Sequence, residues 1–143
     1  MRTLFLGGFM VLAGALAGFE AKADPCRAIP DRGPMPGYLR PGATFSGPVV
    51  YVGDGDSLCV AVGREQNGWV EVRLADFYAP ELSEPGGPEA KLTLARLTRG
   101  QRVVCRAQRR SYDRVVAVCT LNGVSLARKL RAMGAREGGR GWR

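Results

Sequence analysis

Residues 48–75 read PVVYVGDGDSLCVAVGREQNGWVEVRLA. Three valine-rich runs, 48–52, 57–62 and 69–75, are separated by Gly53-Asp54-Gly55-Asp56 and by Gln66-Asn67-Gly68. Branched side chains suit a pleated, half-buried surface, while Gly, Asp and Asn favour turns. The stretch therefore predicts three consecutive strands, with Asn67-Gly68 marking a short hairpin between the last two.

Downstream, a loop over 79–87 leads into a predicted helix. Pro88 suits its first position, Ala90, Leu94 and Leu97 share a face, and Gly100 suits its stop. Runs 102–108 and 114–120 then read as a hairpin centred on Tyr112 and ended by Asn122-Gly123. A second helix starts near Ser125, with Leu126, Leu130 and Met133 on one face and Gly134 closing it. The order β-β-β-α-β-β-α predicts a mainly β chain with two helices (α+β), arranged as a five-stranded OB-fold barrel over 47–135. The tail, 136–143, is basic and glycine-rich and is expected to be flexible.

Upstream, residues 1–23 have the pattern of a secretory leader. Arg2 is followed by an apolar run over 4–19, and Ala21-Lys22-Ala23 forms a small-residue cleavage site, so Asp24 would begin the mature chain. The run is shorter than the roughly 20 residues of a spanning helix, and no stop-transfer pattern follows. The expectation is export without a stable membrane anchor, to the periplasm or medium of a bacterium. Residues 24–46 are an irregular arm rich in Pro and Gly, and the remainder has the size of one domain, expected to be monomeric.

The chain carries 21 Lys and Arg against 13 Asp and Glu, a net charge of +8, with no His. Loss of Arg2, Lys22 and Glu20 with the leader takes that balance from +8 to +7. The surplus is almost all arginine, whose planar fork fits phosphate and carboxylate oxygens, and suits an anionic partner or simply a solvated basic surface. Without His there is no Ser-His-Asp or Cys-His triad and no His-based zinc site. Chemistry must then rest on carboxylates, arginines, tyrosines or a hard metal ion.

Four cysteines, Cys26, Cys59, Cys105 and Cys119, form an even set with no C-x-x-C spacing. In an exported chain they read as disulfides, with three pairings possible from sequence alone. A hairpin centred on Tyr112 puts Cys105 opposite Cys119, within cross-strand disulfide reach. That leaves Cys26 with Cys59, tying the arm to the strands.

Three segments carry chemistry: Asp54-Gly55-Asp56-Ser57; Val72-Arg73-Leu74-Ala75-Asp76-Phe77-Tyr78-Ala79-Pro80-Glu81; and Ser111-Tyr112-Asp113-Arg114. Taken with Gly87-Pro88-Glu89-Ala90, they resemble the thermonuclease (staphylococcal-nuclease-like) family pattern D-G-D-T, V-R-L-x-G-I-D-A-P-E, G-x-x-A and D-R-Y-G-R-x-V-A. The resemblance implies calcium-assisted hydrolysis of DNA or RNA. Arg73 and Arg114 would clamp phosphate and Glu81 would activate water. Asp56 would hold the metal with Asp54 nearby and the Ala79 backbone carbonyl contributing, and Tyr112 would meet the nucleotide. Taken one at a time, each residue also has a bland use: Asp54 and Asp56 form turns, and an arginine in a strand pairs with a structural carboxylate.

Two departures stand out. The family's second metal carboxylate is replaced by Tyr78, which leaves Asp76, two residues earlier, as a speculative substitute. In the third motif the leading Asp is Arg110 and the Gly is Asp113, which stands beside Arg114 and is positioned to pair with it. The alternative reading is a weakened or inactive homologue that binds nucleic acid through a basic groove and aromatic platforms at Trp69, Phe77, Tyr78 and Tyr112. A third reading is an envelope protein that sets its basic tail against anionic lipid or polymer.

Overall fold

A computed structural model describes residues 23–30 and 33–139. The predicted leader, apart from Ala23, and residues 140–143 of the predicted tail lie outside the described residues. The strands are β1 (Thr44–Val52), β2 (Ser57–Val60), β3 (Val70–Leu74), β4 (Arg102–Ser111), β5 (Arg114–Leu121) and β6 (Val124–Ser125). Helix α1 (Gly87–Thr98) follows β3, and α2 (Leu126–Ala132) follows β6.

The chain is thus mainly β with two helices, on one sheet of order β3-β2-β1-β4-β5-β6. Neighbours along that order pair antiparallel, and β3 makes a further, parallel pairing with β5 in the register Val72↔Val115, Arg73↔Val116, Leu74↔Ala117. Each of β1 to β5 therefore has a partner on both sides. That pairing sets Arg73 beside the start of β5, where Arg114 lies.

Two turn expectations are corrected. Asn122-Gly123 does not end the β-region but reverses it. Both residues are left-handed, with φ of 52° and 77°, which is the backbone a tight two-residue hairpin needs. The result is a sixth strand, β6, paired Thr120↔Ser125 and Leu121↔Val124, where five strands were expected. Asn67-Gly68, the predicted hairpin, instead sits in a 3-10 turn over Gln66–Gly68. Strand β2 stops at Val60, short of the predicted 62, so the connection is too long for a two-residue turn. The freed Trp69 carbonyl accepts from the Arg27 and Ala28 amides, which docks the N-terminal arm at the start of β3.

The core is built as the patterns require. Ala90 and Leu94 of α1 and Leu126 and Leu130 of α2 are buried with Phe77, Val72, Val103 and Leu39. Met133, expected on the buried face of α2, is the C-cap of a seven-residue helix and is exposed. Chain reversal at Gly134, φ 75°, takes it off the apolar face. Among the described residues, no helix is long and apolar enough to cross a membrane.

Both expected disulfides are present. Cys105 and Cys119 face each other across β4 and β5 with Cα atoms 4.0 Å apart, and Cys26–Cys59 spans 5.8 Å. The first closes a separation of 14 residues and the second 33. In the chain-entropy account, loops of those lengths constrain the unfolded state by roughly 3 and 4 kcal/mol. Replacing both Cys105 and Cys119 by Ala is expected to lower unfolding free energy by about 2–4 kcal/mol. An unchanged urea midpoint would contradict this.

Candidate active site

The connection between β1 and β2 is held by its own side chains and by its fit to a neighbouring loop. Asp54 Oδ1 accepts from the Asp56 amide at 3.0 Å, which closes the turn. Asp56 is only 6% exposed. Its Oδ2 accepts from the Ala79 N–H at 2.9 Å, and its carbonyl accepts from the Leu74 amide at 2.8 Å. Asp56 thereby fixes the 74–79 segment at two points. Between the two acids, Gly55 packs so closely that a Cβ there would overlap those of Ala79 and Ala90. A Cβ at Gly87, the first residue of α1, would overlap the Glu81 carbonyl. Small residues thus wedge the acidic turn, the 79–81 loop and the head of α1 together. Glu81 is exposed, two residues beyond the Asp56-bonded amide, and its own N–H donates to Glu84.

Arg73 lies in β3 opposite Ser57 of β2. Its guanidinium carbon is 5.7 Å from the centre of the Tyr78 ring, a cation–π contact at the position where the family has a carboxylate. Arg114 opens β5 and bears electrostatically on Glu71 of β3. Tyr112, at the hairpin tip between β4 and β5, is left-handed (φ 57°) and 84% exposed.

Arg110, a departure from the family pattern, has a structural use. It donates to the Tyr112 carbonyl at 2.6 Å and to the Gly33 and Pro30 carbonyls, pinning the N-terminal arm to the hairpin tip. Asp76 is engaged with α2 and the residue before it. Its Oδ2 accepts from Ser125 Oγ at 3.0 Å and its carbonyl from Arg131 at 2.7 Å, while its buried Oδ1 has no partner.

Sequence reasoning missed Glu71 and Asp24. Glu71 stands two residues before Arg73 in β3, so both share a strand face, and that alternation was readable. Asp24 reaches the same neighbourhood because Cys26–Cys59 holds the arm there, a placement with no local sequence signal. The facing charges have consequences. Burial first, then the charge of Asp54, push the Asp56 carboxyl up to about 7, against the opposing pull of the Ala79 N–H and Arg73. Burial and the charges of Asp24 and Asp113 push Glu71 to about 7 as well, against Arg114. The effect of Asp113 thus falls on Glu71.

Two carboxyls in contact at neutral pH must share a proton or a cation. Asp54 and Asp56 offer hard oxygens, the donor type calcium takes, so the residues present fit that ion. A second grouping, Asp24 with Cys26 and Cys59, does not fit a metal, because both sulfurs are consumed in the disulfide and no thiolate remains. Asp56 has a higher pKa folded than unfolded, so its stabilising protonated state is lost as pH rises towards 7. In chelator, Asp56→Asn is expected to match the parent's Tm near pH 4 and to exceed it increasingly up to pH 8. Parallel Tm curves across that range would contradict this.

No family model matches the chain. Micrococcal nuclease of Shigella flexneri is 40% identical to it over 77 residues. That stretch is 53% of this chain and 42% of the other, so the chain spans less than half the length of that relative. The likeness is to a nuclease, and it supports the thermonuclease-like resemblance.

Proposed function

We propose that the chain is an exported, calcium-assisted phosphodiesterase that cuts DNA or RNA internally. The observation that carries this reading is the bond from Ala79 N–H to Asp56. It brings a buried metal-type carboxylate within two residues of Glu81 and onto the segment that begins at Arg73. The pairing of β3 with both β2 and β5 supports a closed five-stranded OB barrel as the scaffold, with β6 appended. The two disulfides suit an oxidising compartment, in keeping with a leader over 1–23 and a periplasmic or secreted monomer.

Asp56, with Asp54 beside it and the Ala79 carbonyl, would hold the ion, which supplies Lewis-acid polarisation of the phosphoryl oxygen when bound. Asp76 anchors the head of α2 through Ser125. Glu81 accepts a proton from water as the water oxygen bonds to phosphorus. One P–O ester bond breaks, and the departing sugar oxygen takes up a proton from solvent. Arg73 and Arg114 neutralise the charge that grows on the non-bridging oxygens. Tyr112 and Tyr78 offer ring faces to the nucleotide.

One observation favours a second reading, a nucleic-acid-binding module without turnover: Tyr78 covers Arg73 where a second carboxylate ligand is expected. Cleavage of plasmid and single-stranded DNA by the mature chain separates the two. The expected result is calcium-dependent cutting that chelation stops, with Arg73→Ala or Glu81→Gln lowering kcat by about 10²–10³-fold. Binding without cleavage, unaltered by Glu81→Gln, would overturn the enzyme reading. A gain of activity in Tyr78→Asp would identify a nuclease site short of one ligand.

A further inference from the structure

The outer face of β4 carries arginines and no acid. Val103, Cys105 and Ala107 point into the core, so Arg102, Val104 and Arg106 point outward. A bulge between Ala107 and Arg109 shifts the register and leaves Arg109 exposed as well. The neighbours across the ladders are neutral: Pro48, Ser46 and Thr44 of β1 face Arg102, Val104 and Arg106, and Thr120 and Val118 of β5 lie on the other side. No acidic residue occurs anywhere in β1, β4 or β5. The hydrogen bond of Arg102 goes to a neutral hydroxyl, Ser46 Oγ at 3.3 Å. Arg40, exposed, adds a further charge from the turn that pairs with Ala107.

We infer that this face is a track for the sugar-phosphate backbone of a nucleic acid, separate from the candidate active site and leading to it. Strand β4 pairs with β1 and β5 and carries none of Asp54, Asp56, Arg73 or Glu81; Arg73 lies on β3, and the acidic turn lies at the far end of β1 from the residues that pair with β4. Strand β4 runs from Arg102 to Ser111, nine steps of about 3.3 Å or roughly 30 Å, and ends at the tip that holds Tyr112 and Arg114. Arg102, Arg106 and Arg109, spaced along one extended strand, make a linear array, which matches a linear polyanion and reads no base sequence. A bilayer surface would call for apolar side chains set to insert. Val104, 45% exposed, is the one large exposed hydrophobic residue that β4 presents. The inference rests on the charge and register of β4, and it takes from the nuclease reading the class of ligand and the site to which the track leads.

The test is Arg102→Gln/Arg106→Gln/Arg109→Gln in the mature chain, with binding to a labelled DNA duplex measured in chelator over a salt series. The expected result is affinity about 10–100-fold lower at low salt. The slope of log affinity against log salt should fall by about 0.9 for each phosphate contact removed. Unchanged affinity and slope would overturn the track. So would loss of co-sedimentation with phosphatidylglycerol vesicles while DNA binding stays intact, which would assign the face to lipid. Circular dichroism confirms that the variant folds. If the parent fails to cleave but the triple variant loses DNA binding, the nuclease reading falls and the track stands. If the parent cleaves and the variant binds as before, the reverse holds.

Discussion

The bond between the Ala79 amide and the Asp56 carboxylate is the constraint on which the site depends. A carboxylate this buried is costly unless something satisfies it. One of its oxygens is met by a backbone donor from a segment 23 residues away. That donor can approach only because Gly55 lacks a Cβ and because Ala79 and Ala90 are small. The same close packing recurs at Gly87 beneath the Glu81 carbonyl. The acidic turn, the loop with Glu81 and the first turn of α1 therefore form one rigid unit.

Charge completes what packing begins. On one side of the molecule, carboxyls crowd together at Asp54 with Asp56 and at Glu71 with Asp24 and Asp113, and the arginines at 73 and 114 offset them only in part. Such an arrangement has unmet demand for positive charge, which a proton, a divalent cation or a clamped arginine each relieves. The face of β4 has the opposite imbalance, with arginines and no acid. A polyanion is repelled by the first region in the absence of a cation and attracted by the second.

Much of this was legible in the sequence, for identifiable reasons. Strands β3, β4 and β5 and the second half of β1 were readable from valine-rich runs bounded by turn residues, whereas Thr44–Gly47 of β1 fell in the stretch read as an irregular arm. The Cys105–Cys119 pair followed from hairpin register. The two Asn-Gly sequences were not distinguishable locally. Both offer the same turn chemistry, and only the length of connection left by β2, and the docking of Arg27 and Ala28 on Trp69, decided which one makes a tight turn. The burial of Asp56 and the placing of Asp24 are tertiary facts with no local signal. The use of Arg110 as a clamp on Pro30 and Gly33 joins residues about 80 positions apart, and no spacing rule reaches that far.

If Asp54 and Asp56 hold the ion as proposed, Asp56 exchanges its proton for a divalent cation. Calorimetric titration of calcium into the mature chain at pH 7, repeated in buffers of different ionisation enthalpy, measures this exchange directly. With the Asp56 carboxyl at about 7, binding should release about half a proton per ion, and Asp56→Asn should release none. Calcium binding with no proton release, or release unaltered in Asp56→Asn, would contradict this exchange.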